Sequence, residues 1–240
     1  MSVTDLRLHF ALVACSALFF LNGCGDAPTP TPKIVLPAET LTPTRQIVTF
    51  PTPALGWSIY SRATYQIALP DSWQEVKLQE NELKDAIAAA QDSNPPLAEQ
   101  LRTLLESGQY KAFLFYATEE NHGRITRNVS ITRWTLADTP DVQGLAKAYA
   151  DALPNVVHGA KVNEVQAPLK INGIRAAAFV YDVSLVDNAG TLTTLRGVQY
   201  LYVLDAGEAY LVTVTGDAAD EKNFMPLARQ IATSFVGVTP

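Results

Sequence analysis

The chain reads as an α+β protein in which an antiparallel β-sheet is sandwiched between helices, an α/β/α arrangement. Three observations predict it. The last third alternates long apolar strands with short turn sequences, residues 110–118 are apolar on both faces of a strand, and each helical stretch carries a single apolar stripe. A sheet that is apolar on both sides needs a cover on both sides, and single-stripe helices are suited to be those covers.

Residues 63–69 alternate so that Tyr65, Ile67 and Leu69 share one face of a strand, ended by Pro70, Asp71 and Ser72. Residues 73–78 can return as a second strand. Two helices follow, the first with Leu83, Ile87 and Ala90 on one side. The second has Asn94 as cap and Pro95 in its first turn, carries Leu97, Leu101, Leu104 and Leu105 on one face, and stops at Gly108. Residues 110–118 form a strand with Ala112, Leu114 and Tyr116 on one face and Phe113 and Phe115 on the other. A polar turn at 119–123 leads to a partner strand at 128–136.

Thr139 and Pro140 start a helix with Val142, Leu145, Ala146, Tyr149 and Leu153 at helical spacing, expected to end before Pro154. Strands at 160–171, 174–185, 192–204 and 209–215 then form an antiparallel meander, with turns at Asn172-Gly173, at 187–190 and at 205–208. A final helix packs Phe224, Leu227, Ala228, Ile231 and Phe235, with Pro226 expected in its first turn.

Three stretches carry a family resemblance: Tyr65-Gln66-Ile67-Ala68-Leu69-Pro70-Asp71-Ser72-Trp73, Ala209-Tyr210-Leu211-Val212-Thr213-Val214-Thr215 and Ile231-Ala232-Thr233-Ser234-Phe235. Together they resemble the PsbP-like family over about residues 60–236. That family includes an extrinsic subunit of photosystem II, bacterial lipoproteins and a Ran-binding nuclear import factor. The resemblance implies a PsbP-like fold and a binding or assembly module, and it brings no catalytic motif. The long helical hairpin at 81–107 departs from the family pattern.

Upstream of this domain, residues 8–21 form an apolar run that no acidic or basic charge interrupts, preceded by Arg7 and followed by Asn22, Gly23 and Cys24. Fourteen residues span only ~21 Å as a helix against ~30 Å of bilayer hydrocarbon, so the run fits a secretory signal and not a membrane span. Leu21-Asn22-Gly23-Cys24 resembles the bacterial lipobox, with Asn22 in place of the usual alanine or serine. The resemblance makes residues 1–23 a signal peptide and Cys24 the lipid attachment site, carrying palmitate-type acyl chains. Ordinary secretion with cleavage after Gly25 or Ala27, leaving Cys24 unmodified or removed, is the alternative. The other cysteine, Cys15, leaves with the signal, so the mature chain has no intramolecular disulfide.

Residues 25–55 hold seven of the fifteen prolines, with threonine as the main polar filler. Such a linker prefers an extended conformation at ~3.1 Å per residue and can hold the domain as far as ~95 Å from the headgroups. Two short apolar patches within it, around Ile34 and around Ile47, can instead dock on the domain. Residues 56–240 then form one domain, expected to be a monomer. The composition is that of a globular protein, at 48% hydrophobic and 18% charged. With net charge −6 and no basic run, the sequence points away from nucleic acid and away from electrostatic membrane binding.

The residues able to carry chemistry are few. Glu119, Glu120 and His122 can meet a divalent metal, but a polar hairpin tip explains them as well. His158 reads as a strand-edge residue. Asp187, Asn188, Asp205 and Glu208 invite a calcium reading but lack ordered ligand spacing, so turn chemistry is favoured and no metal or cofactor is expected. Asn128-Val129-Ser130 matches a glycosylation sequon, an accidental one in a bacterial lipoprotein. Tyr181, Tyr200, Tyr202 and Tyr210 fall in adjacent strands, either as core or as the lining of one sheet face. His122, His158, Asp182 and the serines could still converge in space as a triad.

Three function classes follow. The first is a membrane-anchored extracytoplasmic lipoprotein acting as a non-catalytic protein-binding or assembly-support module. The second is a carrier or sensor of a small apolar ligand, which needs a cavity between sheet and helices. The third is a hydrolase with an unrecognised site, which needs titratable groups converging in a cleft.

Overall fold

Two-residue alternation organises the molecule, because it gives the strands at 174–186 and 192–203 two different apolar faces. In a computed structural model the described residues are 54–120, 125–136, 141–157, 159–186, 192–205 and 207–237. Ten strands and four α-helices follow in the order β1 (Trp57–Ser61), β2 (Tyr65–Pro70), β3 (Trp73–Glu75), α1 (Glu80–Ser93), α2 (Pro95–Glu106), β4 (Phe115–Glu119), β5 (Asn128–Thr135), α3 (Val142–Val156), β6 (Ala160–Ile171), β7 (Ile174–Val186), β8 (Leu192–Val203), β9 (Glu208–Asp217), α4 (Glu221–Thr233) and β10 (Val236–Gly237).

Seven strands make one antiparallel sheet in the order β3-β4-β5-β9-β8-β7-β6, and a small sheet runs β1-β2-β10. On one face of the large sheet, Val198, Tyr202, Tyr210, Val212 and Val214 pack against Phe224, Ala228 and Ile231 of α4 and against Tyr65, Ile67 and Leu69 of β2. On the other, Ala177, Phe179, Leu201, Val203, Ala209 and Leu211 meet Val142 and Ala146 of α3. At ~2–3 kcal/mol per fully buried large apolar side chain, the two layers together outweigh any single polar contact described below. The α+β class and the antiparallel meander are therefore as expected. One cover differs, since α4 shares its face with a three-stranded sheet.

The helical hairpin forms as its sequence requires. Asn94 Oδ1 accepts from the Leu97 amide at 3.3 Å, Pro95 sits at the first helical position, and Ala98, Leu101 and Leu104 are buried. The hairpin packs Leu83, Leu101 and Leu104 around Tyr110 and Tyr116, at the β4 end of the face that α3 covers.

Five local expectations need correction. Trp57–Ser61 is a strand, the partner of β2 in a hairpin, where the linker was expected to give way to the strand at 63–69. β3 does not return against β2 but pairs with β4, because the chain crosses from the small sheet to the edge of the large one. Residues 109–112 form a short 3-10 turn instead of the start of β4; Tyr110 packs against the hairpin there, and the strand begins at Phe115. The prolines at 154 and 226 both lie inside helices. Pro226 is exposed in the second turn of α4, where the carbonyl left without its helical partner can face water. α3 is capped by Asp141, whose carboxylate accepts from the amides of Gln143 at 3.4 Å and Gly144 at 2.9 Å, and not by Thr139, which lies outside the described residues.

Candidate functional site

Cys24, His122, His158, Asp187 and Asn188 lie outside the described residues. Glu119 accepts two hydrogen bonds from Arg127 Nη1, at 2.9 and 3.1 Å, and Glu120 is exposed. Asp205 is fully exposed and 3.6 Å from Arg175, and Glu208 receives the Tyr210 hydroxyl at 3.2 Å. Among the described residues no group of three or more His, Cys, Asp or Glu side chains could hold a metal ion. Asn128 lies in a central strand, paired with Thr118 and with Thr215.

The four tyrosines do not share a face. Tyr200, Tyr202 and Tyr210 point to α4, whereas Tyr181 belongs to the opposite side, with Leu153 and Val157 of the α3 segment. Tyr202 lies 4.8 Å and Tyr210 5.3 Å from the Phe235 ring, and Tyr65 stacks on that ring at 5.9 Å. The Tyr202 hydroxyl donates to the Ala232 carbonyl at 2.7 Å. These rings fill the space between α4 and the sheet. Beside α4, a cleft bordered by Glu164, Ala178, Val180, Val198, Tyr200 and Arg229 has a volume of about 10 Å³, the space of one water molecule.

Asp182 is held elsewhere than in a triad. It accepts from Arg196 Nε at 2.7 Å and Nη2 at 2.9 Å, while Arg196 Nη1 is 2.7 Å from Glu221, the first residue of α4. This bidentate bond, with Asn163 contributing, holds the Asp182 carboxyl below the ordinary aspartate value. From β5's side, Arg127 binds Glu119 and also Asp220. The hydrogen bond from Asn223, then that from Arg127, lowers the Asp220 carboxyl. Two nearly buried guanidinium groups thus tie the N-terminal end of α4 to the sheet from opposite sides. Neither arginine was singled out from the sequence, because an isolated arginine has no local pattern.

The other feature that sequence reading passed over lies on the α3 side, on the central strands. Ser130 stands opposite Thr213, which stands opposite Gln199, and Asn128 stands opposite Thr215. The Tyr149 hydroxyl of α3 donates to Gln199 Oε1 at 3.0 Å, and Gln199 Nε2 donates to Thr213 Oγ1 at 3.0 Å. Thr132 and Thr215 each bury a hydroxyl oxygen that has no hydrogen-bond partner among the described residues. Aromatic side chains stand on both flanks, Trp134 with Tyr149 at 6.2 Å and Phe113 with Tyr116 at 5.8 Å. The signal was present in the alternation of Val129 and Ile131 with Asn128, Ser130 and Thr132. Over residues 128–132 of β5 and 213–215 of β9 the strands are apolar towards α4 only.

The fold and this strip define an antiparallel α+β sandwich with a hydroxyl-rich band across its central strands. No family model and no curated protein matches the chain. Solved structures that it resembles include cyanobacterial PsbP (CyanoP) from Synechocystis sp. PCC 6803, at 12% identity and TM-score 0.47, over 77% of this chain and 94% of that one. LpqN of Mycobacterium tuberculosis, involved in cell envelope biogenesis, is similar at 11% identity and TM-score 0.42, over 76% and 91%. The Saccharomyces cerevisiae Ran-binding protein Mog1p is similar at 8% identity and TM-score 0.44, over 76% and 96%. At such identities the likeness concerns the fold and not partners or activity.

Proposed function

We propose that this chain is an extracytoplasmic lipoprotein, tethered to the membrane through lipidated Cys24, whose domain is a non-catalytic protein-binding or assembly-support module. The observation that carries the reading is the interlocked packing of Tyr65, Tyr202, Tyr210 and Phe235. Where a carrier of an apolar ligand needs a cavity of a few hundred Å³, these rings occupy the space between α4 and the sheet. Asp182, Asp220 and Glu221 are engaged by Arg127 and Arg196, and they serve the attachment of α4. Recognition then falls to the surface, where the half-buried Thr132 and Thr213 are the accessible part of the band, Ser130 and Thr215 being buried beneath it. The half-buried rings of Trp134 and Phe113 beside these threonines offer a polypeptide apolar contact with a polar edge.

The test is photo-crosslinking in cells, with the reactive side chain at position 132 or 213, and at position 147 on α3 as the control. One discrete protein adduct from the strip positions, absent from the control, supports the reading. A small apolar molecule recovered from the purified, denatured protein in stoichiometric amount overturns it.

A further inference from the structure

We propose that residues 50–53, at the end of the linker, dock as an added edge strand on β1. The observations lie in the first described residues. Ala54 to Trp57 form a tight turn, closed by the Trp57 amide donating to the Ala54 carbonyl at 3.1 Å, with Gly56 at φ 80°. That φ is the value a type II turn requires at its third position, and the turn reverses the chain just before β1.

The hydrogen-bond phase says on which side of β1 the incoming chain lies. Arg62 N–H donates to Tyr65 C=O and Asp71 N–H donates to Gly56 C=O, each at 2.9 Å. These two bonds bracket the β1–β2 ladder, so the polar backbone groups of Ser58 and Tyr60 face β2. Those of Trp57, Ile59 and Ser61 face away from it. The Trp57 amide that holds Ala54 is therefore an outward-facing donor, and the chain arrives along the outer edge of β1. Continuing the pairing sets Thr52 opposite Ile59 and Phe50 opposite Ser61.

In that register the two prolines fall where they do no harm. Thr52, which has an amide, meets the outward N–H and C=O of Ile59, while Pro51 and Pro53 have their missing N–H on the solvent side. Proline on an edge strand is tolerated only in that phase. Phe50 and Thr52 lie on the same face as Ile59, whose side chain is 45% exposed in β1. Of the four sheet edges, β1 is also the one in need of a cover, since β10 has only two residues, both buried. β3 has three residues, and β6 carries two register irregularities and Pro168, whereas β1 has an unbroken register and neither charge nor proline. A type II turn splays the arms of a hairpin, so the pairing ends at Ser61, where β1 itself ends. Docking leaves residues 25–49 as free tether, with a reach of ~80 Å at ~3.1 Å per residue, and closes the sheet edge to strands of other chains.

Amide hydrogen exchange by NMR on the mature chain tests this independently of any partner. The amides of Ile59 and Ser61 are expected to be protected at least tenfold relative to a Thr52→Pro variant, which removes the one donor facing Ile59 and alters nothing inside the domain. Pro51→Ala is expected to leave the protection unchanged. Equal exchange of Ile59 in the parent and in Thr52→Pro overturns the proposal. So does protection that appears only with rising protein concentration or with an added second protein, since the edge is then taken by another chain.

Discussion

The ring of Tyr181 lies across Gly197 on the neighbouring strand, with Cζ 2.2 Å from the point where a Cβ on Gly197 would stand. The two residues are direct cross-strand partners, and Tyr181 is 2% exposed. Glycine is required here for space. Gly197→Ala is expected to destabilise the domain by about 3 kcal/mol, because a well-packed aromatic ring has nowhere to move. Urea unfolding measures it, and Tyr181→Leu added to Gly197→Ala is expected to recover part of the loss.

Arg196 reaches across the strand to Asp182 and upward to Glu221, and its side chain is only 14% exposed. Asp182→Asn is expected to cost about 2 kcal/mol at neutral pH, at the lower end for a pair that is not fully buried. The pH dependence follows from the direction of the shift. Asp182 has its carboxyl lowered in the folded state, so the stabilisation is complete above the unfolded value near 4 and is lost as pH falls through the folded value. Stability curves of the parent and Asp182→Asn are therefore expected to run parallel above about pH 5 and to converge in stronger acid.

Alkaline pH acts on the tyrosines in the opposite sense. Burial pushes Tyr65 up to about 12, and it raises Tyr116, Tyr181 and Tyr202 as well. A group whose folded value is raised stabilises fully below the unfolded value near 10 and loses that contribution as pH climbs through the folded value. Near-ultraviolet titration is expected to show fewer than the nine tyrosines ionising near pH 10. The remainder are expected to ionise together with unfolding. Nine independent ionisations near 10 in the folded protein would contradict the packing.

Cys24 is expected to begin the mature chain and to carry acyl groups. Intact mass of protein purified from membranes measures this directly, and Cys24→Ala is expected to release the domain from the membrane fraction. Two or three chains suffice for stable anchoring where one is marginal. An unacylated chain beginning at Asp26 or Pro28, or a Cys24→Ala chain that stays bound, would refute the assignment.

Much of the architecture was legible because it is governed by local rules. The meander strands appear at Ala160–Ile171, Ile174–Val186 and Leu192–Val203 almost as their alternation and turns predict. Asn94 followed by Pro95 defines the start of α2 by capping chemistry alone. β1 was missed because Trp57-Ser58-Ile59-Tyr60-Ser61 is short and adjoins a proline-rich stretch. Pairing with β2, and not its own pattern, makes it a strand. The prolines at 154 and 226 misled for a related reason: propensity ends helices there, but packing of Leu153 and Val157 in one case and Ala228 and Ile231 in the other keeps them going.

By itself the sequence determined the α+β class, the antiparallel meander and the hairpin of α1 and α2, because periodicity and capping depend on residues close together in the chain. The signal-like run, the lipobox resemblance and the linker were also read from neighbouring residues. Only the tertiary structure decided that β3 leaves β2 for β4, that Tyr181 faces away from Tyr200 and Tyr202, and that Arg127 and Arg196 converge on the start of α4. Each of these joins residues distant in sequence, and strand parity or a guanidinium's reach acquires a partner only once the register of the whole sheet is set.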